Sequence, residues 1–415
     1  MWFFDKIFKR NNSFPNIESS QFYDLFNNQV KSGVKVTEFS SLQASAVFAC
    51  VRILAETVAS LPLITYKYIN QGKQRAFEHP VYQLLHNRPN LEISAYTLLN
   101  VIMAHLNLWG ESFCYIEFNE AGYPIEIWPL LPYKMNIQRD QMTKNLMYIY
   151  TLPTDRNIIL QSWQILNFKM FTLDGIRGIS PIKMAKETIG LSLAHGEFAA
   201  RFYSNGANLG GFFKHPGKLS DQAYNRLKSD LRDKYTGLSK AHKIAILEEG
   251  LDFVRIGIPP EEAQFIESRK FQRNEIASIF RVPPHLIGDL ERATFSNIEQ
   301  QSLEFIIYSI RPFLINIEQE INYKLFTPQE RKKYFVEFLI DAILRADTES
   351  RYRSYQIGRL NGWLSVNDIR QKENMNPIEG GDEYLSPLNM IPLQFLQDYY
   401  QKKLNENGKG GNNAI

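Results

Sequence analysis

The sequence predicts an α+β protein made of several packed units. Helical periodicity dominates residues 42–110, and a run of short segments with period two follows it. The second half contains long helical segments that flank a proline-rich loop. Helices followed by a run of strands are typical of an α+β domain. With 415 residues, 44% hydrophobic and 22% charged, the chain has the composition of a soluble globular protein of two to four units.

The first 33 residues are rich in Asn and Ser and predict a loosely held arm. From Leu42 a helical pattern with one apolar side runs to Pro62 and is followed by a strand over 63–69. His79-Pro80 begins a short helix, and Ser94 begins a longer one that ends at Gly110.

Five segments after Gly110 are rich in aromatic and β-branched residues and predict strands of an antiparallel meander. In chain order they read ESFCYIEFN, YPIEIWPLLP, YKMNIQRD, LMYIYTLP and ILNFKMF.

At Ser180-Pro181 a cap and a first-turn proline predict a helix that runs to about Ser204, with Asn205-Gly206 as its C-cap. A compact α/β insert follows, and the next helix covers about 261–281. The insert therefore lies between two rod-like helices.

The helix over 261–281 carries basic and acidic residues on opposite edges: Arg269, Lys270 and Arg273 against Glu267 and Glu275. Such a helix can meet a copy of itself head to tail, and contacts of this kind close into rings. The alternative is a solvated surface helix with scattered ion pairs.

A longer helix is predicted from a capping box at Ser296 and Glu299. Pro312 lies inside it and predicts a kink in a continuous helix. One apolar stripe follows its length: Leu303, Ile307, Ile310, Leu314, Ile317, Ile321 and Leu325. The next segment, KKYFVEFLIDAIL, predicts a strand that pairs with the first domain, and short helices and a polar tail complete the chain.

Composition and motifs argue against several classes of protein. The net charge of +3 is too small for a tight nucleic-acid binder, and there is no apolar run of membrane-spanning length. Cys50 and Cys114 lie in apolar segments, which predicts buried, reduced thiols. GGFFKHPGKL fails the phosphate-loop pattern because Gly211 is misplaced and Leu219 replaces Ser or Thr. The sequence predicts no catalytic residues, no metal site and no cofactor.

Several segments, in the same order, resemble the tailed-bacteriophage portal (head-to-tail connector) protein family. They are AVFACVRILAETVASLPL, HPVYQLLHNRPN, LWGESFCYIEFNEAGYPIEIWPLLP, DGIRGISPI, the stretch from EEAQFIESRKF to NIEQQSLEFI, and RYRSYQIGRLNGWLSVNDIRQKENMNPIEGGDEYLSPLNMIPL. Together they cover most of residues 42–393.

The resemblance implies a portal-type fold with an α/β wing, a two-helix stem, a small α/β clip, a long kinked helix and an α-helical crown. It assigns these ranges: arm 1–33, wing 34–178, stem helices 179–207 and 260–281, clip 208–259, tunnel loop 282–295, kinked helix and wing strand 296–345, crown 346–400 and tail 401–415.

The resemblance further implies a homo-oligomeric ring, usually a dodecamer, at one capsid vertex of the virion. Double-stranded DNA passes through its channel, and the terminase large subunit, the major capsid protein and head-tail adaptors are its partners. Assembly takes place in the host cytoplasm, without a membrane partner or enzymatic activity. The residues expected to face DNA are Arg281, His285, Arg292, Lys183 and Lys186, and those expected in the partner-docking clip are Lys240, His242 and Lys243.

Two other functions stay open on the residues alone. One is a metal-dependent nucleic-acid-processing enzyme, in which the region around Lys240 binds DNA and a carboxylate pair holds Mg²⁺. The other is a capsid scaffold or adaptor without a channel. Metal-dependent nuclease activity would indicate the first, and particles without an axial hole the second.

Overall fold

The computed structural model describes residues 30–70, 72–140, 142–204, 211–214, 252–255, 262–289, 295–340, 348–373 and 375–385, with a few single positions in 217–229. The chain divides into two compact units, residues 1–339 and 340–415. Residues 1–29 of the predicted arm, most of the clip and the tail lie outside the described residues. So do the predicted cap Asn205-Gly206 and the segment KIAILEE, whose pattern predicts a strand of the insert.

In the first unit the described helices are α1 Glu38–Ser41, α2 Ser45–Ala59, α3 Pro80–His86, α4 Ala95–Trp109, α5 Pro181–Met184, α6 Lys186–Ser204, α7 Glu262–Ile279, α8 Phe295–Glu304 and α9 Arg311–Lys324. The strands are β1 Leu63–Ile69, β2 Gly72–Arg75, β3 Glu111–Phe118, β4 Pro124–Leu130, β5 Met135–Arg139, β6 Leu146–Thr151, β7 Asn157–Gln161, β8 Ile165–Lys169, β9 Gly211–Lys214, β10 Asp252–Arg255 and β11 Tyr334–Phe338. The second unit contains α10 Thr348–Leu360 and α11 Val366–Lys372.

Helix ends follow the predicted caps closely. The Ser94 and Ser180 hydroxyls accept the N–H groups of Thr97 and Lys183, as N-cap side chains do. Gly110 ends α4 in the left-handed conformation at φ 80°. The predicted helix after Ser180 is confirmed, although Ala185 separates a first turn, α5, from α6.

The predicted single meander is wrong. All five predicted strands form, and β7 forms in addition, but they build two three-stranded antiparallel sheets with orders β4-β3-β8 and β5-β6-β7. β8 returns to pair with β3, with Glu111 opposite Lys169. The core lies where α2 and α4 pack together and α4 packs on β3. Cys50 and Cys114 are fully buried there as free thiols, and burial raises the pKa of Cys50 to about 12.

The strand predicted after the long helix is confirmed as β11, which pairs antiparallel with β1. Side chains of α9 provide hydrogen bonds to the backbones of two strands. Asn322 bonds the N–H and the carbonyl of Val336 in β11 at 2.7 and 3.1 Å, and Asn316 donates to the Lys169 carbonyl of β8 at 3.0 Å. These contacts fix α9 against both strands, because buried backbone groups must find partners.

Candidate functional site

The candidate site is the loop between α7 and α8 together with the helices that hold it. α7 packs through Ile276, Ala277 and Phe280, which are almost fully buried. It ends at Ile279, and Arg281, two residues later, has φ 54°. A residue other than glycine adopts this conformation only when its surroundings hold it there. The Val282 N–H closes the turn on the Ala277 carbonyl at 2.9 Å.

The loop then forms a short 3₁₀ turn over Pro284–Ile287 and reverses at Gly288, where φ is 86°. The Asp289 N–H bonds the Pro284 carbonyl at 3.0 Å. Residues 290–294, including the predicted DNA-facing residue Arg292, lie outside the described residues. The first part of the loop is therefore a defined turn with its own backbone bonds.

Polar side chains connect this turn to the helices on both sides. Arg273 Nη2 on α7 is 2.6 Å from Asp289 Oδ2, and His285 Nδ1 is 2.9 Å from Gln301 Oε1 on α8. The hydroxyl of Ser309 donates to the Arg281 carbonyl at 2.5 Å. The sequence predicted neither Asp289 nor Gln301 nor Ser309 as part of the site, and no local pattern marks them.

The helix after the loop is continuous across Pro312, but its winding changes. α8 begins at Phe295, one residue before the predicted cap Ser296, whose side chain lies outside the described residues. Residues Phe305–Ile310 form a π-helix between α8 and α9, directly before Pro312. Proline cannot donate a backbone bond to the preceding turn, and a wider turn accommodates this.

The π-helix changes which residues are buried. Ile310, Leu314, Ile317, Ile321 and Leu325 are buried as the apolar stripe implies. Leu303 and Ile307, which belong to the same predicted stripe, are 44% and 49% exposed. Phe305 and Ser309 are buried instead. A π turn contains one residue more than an α turn, which rotates the preceding residues around the axis.

A groove of about 680 Å³ lies between α6, α7 and the segment 34–46. Hydrogen-bond donors dominate one part of its lining: Lys35, Arg269, Lys270, Gln272 and Arg273. Gln272 is only 4% exposed, and its Nε2 has no partner among the described residues. The remaining residues of the predicted interface set, Glu267 and Glu275, are exposed on α7.

The other predicted site residues are distributed widely. Lys183 is exposed on α5, 3.8 Å from Glu38 Oε1, and Lys186 is half-buried at the start of α6. Lys240, His242 and Lys243 lie outside the described residues. Within the part of the chain that the structure describes, no cluster of His, Cys, Asp and Glu is arranged to hold a metal ion. None of the described helices is long and apolar enough to span a bilayer.

The family model for phage portal proteins matches residues 45–374. A protein of Streptomyces phage phiC31 described as a probable portal protein is 34% identical over 86% of this chain and 81% of its own length. The chain therefore belongs to the phage portal protein family, and its role is that of a portal protein. Portal proteins are structural proteins.

Solved structures show the same fold. A portal protein of the HK97 family from Corynebacterium diphtheriae superposes with a TM-score of 0.56 at 17% identity, over 75% of this chain and 98% of that one. A chain in the neck of a native gene transfer agent (GTA) particle, computed with C12 symmetry, gives a TM-score of 0.55 at 22% identity, over 82% of this chain and 94% of that one. The mixed helix-and-sheet architecture is thus the portal fold.

Proposed function

We propose that twelve copies of this chain form a ring at one capsid vertex, and that double-stranded DNA passes through the ring during packaging and ejection. The match of the portal family model over residues 45–374 carries this proposal. The fold shared with a chain in a GTA neck that was computed with C12 symmetry supports the ring number. The ring assembles in the host cytoplasm, contacts the major capsid protein, and docks the terminase large subunit and the head-tail adaptors.

In this proposal the ranges given above as wing, stem, clip, tunnel loop, kinked helix and crown keep those roles. α6 and α7 are the described parts of the two stem helices, and β9 and β10, which pair antiparallel, belong to the clip. Lys240, His242 and Lys243 form the partner-docking part of the clip. The chain itself has no enzymatic activity, since the terminase supplies the motor.

The subunit contact is proposed to form between the donor-lined groove of one copy and acidic residues of α7 in the next. Lys35, Arg269 and Lys270 offer donors in the groove, whereas Glu267 and Glu275 offer exposed acceptors. This is a heterologous, head-to-tail contact, which closes into a ring when the rotation per subunit permits. Complementary charges of this kind fix the register of the contact.

We expect Arg269→Glu to weaken assembly, because it places a carboxylate where an incoming carboxylate binds. Sedimentation over a concentration series should show that the variant needs roughly tenfold or more protein to reach the same degree of assembly, as one repulsive interfacial pair costs several kcal/mol. Arg52→Gln is the matched control, because Arg52 forms an exposed pair with Glu56 on α2. An unchanged oligomer mass for Arg269→Glu would refute the proposed contact.

Arg281, His285, Arg292, Lys183 and Lys186 are proposed to meet DNA phosphates transiently. Weak, local contacts suit a channel, because tight phosphate binding would stop the DNA from sliding. Combined charge removal at Arg281, His285 and Arg292 should change the length of packaged DNA or its retention in particles. Wild-type values for both quantities would exclude a role for these residues.

The rival enzyme and the adaptor without a channel give different results in two assays. A nuclease would cut DNA when the purified protein is supplied with Mg²⁺, which a portal does not do. An adaptor without a channel would give particles lacking an axial hole in electron micrographs. The portal proposal therefore requires both an open axis and intact DNA.

A further inference from the structure

Arg273, one of the basic residues predicted for the α7 interface, has a carboxylate partner in its own chain. Its guanidinium is 2.6 Å from Asp289, which comes sixteen residues later in the loop. The side chain of Arg273 is 34% exposed and that of Asp289 is 10% exposed. A charge-assisted pair with this little solvent is worth more than a fully exposed ion pair.

Two further contacts connect the same loop to the helix that follows it. Ser309, 5% exposed in the π-helix, donates to the carbonyl of Arg281 at the start of the loop. His285 in the middle of the loop bonds Gln301 of α8. The Arg273–Asp289 pair fixes the far end of the described loop to α7. The loop residues 281–289 are therefore attached at three points to three different helical segments.

We propose that Arg273 is a positioning residue, which holds residues 282–289 on α7 through Asp289 and thereby sets where Arg281 and His285 stand. Arg281 has a left-handed backbone conformation that costs energy, and such a conformation persists only where contacts over-determine it. The loop attachment supplies those contacts. Arg273 thus contacts the loop of its own subunit, whereas Arg269 and Lys270 are proposed to contact the next subunit.

This inference concerns the folded chain itself and holds whether or not a ring forms. Removing the guanidinium takes one charged hydrogen-bond donor away from a carboxylate that is only 10% exposed. The backbone bonds of the turn, at the N–H groups of Leu286, Gly288 and Asp289, then open more often. Opening of this kind is read directly from amide hydrogen exchange.

The test is a double-mutant cycle of Arg273→Gln and Asp289→Asn in the full chain, followed by hydrogen exchange and mass spectrometry of peptides that cover 282–289. Each single substitution should speed exchange in this segment about tenfold or more, as the loss of one hydrogen bond to a charged group does. The double variant should exchange no faster than the faster single variant, because both remove the same interaction. Arg273→Lys, which keeps the charge, should lie between wild type and Arg273→Gln.

Arg52→Gln is the control, since it removes an exposed arginine pair from α2 and should leave 282–289 unchanged. Four results would overturn the inference: unchanged exchange in 282–289, additive effects in the double variant, faster exchange spread over the whole chain, or a lower oligomer mass with 282–289 unchanged. The last result would assign Arg273 to the subunit contact instead. If the wild type is a monomer and the exchange results are those expected, the proposed ring is contradicted and the positioning role of Arg273 stands.

Discussion

His105 lies on the buried face of α4 and is 8% exposed, with its ring edge-on to Trp109 at 5.5 Å. Its Nδ1 has no partner among the described residues. Burial lowers the pKa of His105 from 6.5 to about 4, because the charged imidazolium loses its hydration. The folded protein therefore keeps this side chain neutral at pH values where the unfolded chain protonates it.

The resulting stability depends on pH with a defined sign. Above pH 6.5 both states are neutral at His105, whereas between pH 6.5 and about 4 only the unfolded chain binds the proton. As the pH is lowered through that window, the free energy of unfolding should fall by up to about 1.4 kcal/mol per pH unit. His105→Leu should lose this part of the slope when urea unfolding is compared at pH 7, 6 and 5. Equal slopes for the two proteins would refute it.

Two glycines of α6 make a matched pair for substitution. A Cβ on Gly190 would lie 2.5 Å from Val30 Cγ1 and 2.9 Å from Ser32 Oγ, whereas a Cβ on Gly196 meets nothing within 4 Å. Gly190→Ala should destabilise the protein by about 1–3 kcal/mol through overpacking. Gly196→Ala should stabilise it by up to about 1 kcal/mol, because alanine is the better helix former. Thermal unfolding measures both, and shifts in the same direction would contradict the packing of residues 30–36 on α6.

Single residues also show what local sequence predicts well. Caps such as Ser94 and Ser180 and the stop at Gly110 were predictable, because each acts on backbone groups within a few residues of itself. Asp289 and Ser309 were not predictable, because their partners lie sixteen and twenty-eight residues away. Of the site, the sequence indicated the loop and its charged residues but not the contacts that hold them.

The long helix illustrates a limit of periodicity. Counting 3.6 residues per turn places Leu303 and Ile307 on the buried stripe, but the π-helix over Phe305–Ile310 places them outside it. Pro312 predicted an irregularity at about this position, and the π-helix lies in the turn before it. The sequence therefore indicated where the helix departs from regular geometry. It did not indicate that the departure changes which of the preceding residues are buried.

Alanine substitutions test this register. Phe305→Ala and Ile310→Ala should lower the free energy of unfolding by about 2–5 kcal/mol, as losses from a buried core do. Leu303→Ala and Ile307→Ala should cost less than about 1 kcal/mol, since both side chains are about half exposed. Urea unfolding of the dissociated chain measures all four. Larger losses at Leu303 and Ile307 than at Phe305 would mean that the helix is regular.

Strand pairing in the whole molecule followed the sequence only in part. Every predicted strand that lies within the described residues of the first unit formed, and β11 pairs with a strand of the first domain, as expected. The pairing of β8 with β3 was not expected. Alternation of apolar and polar residues along a strand determines which face is buried, but it does not determine which strand lies beside it. The Asn and Glu side chains of α9 that bond β8 and β11 help to choose these neighbours. An example is Glu318, which accepts the Phe338 N–H at 2.7 Å.

The charge of the whole chain agrees with a role as a conduit. A net charge of +3 over 415 residues gives little general attraction for DNA, so the proposed contacts depend on a few side chains of the loop. The positions of those side chains depend in turn on the attachment of residues 281–289 to the helices around them.

The mass of the purified protein in solution tests the central proposal most directly. A ring of twelve 48.3 kDa chains predicts a single species of roughly 580 kDa by sedimentation or native mass spectrometry, closed by head-to-tail contacts. Arg269→Glu should reduce that species under the same conditions, and Arg52→Gln should not. A wild-type chain that remains a 48.3 kDa monomer at every concentration and salt would contradict self-assembly into a ring.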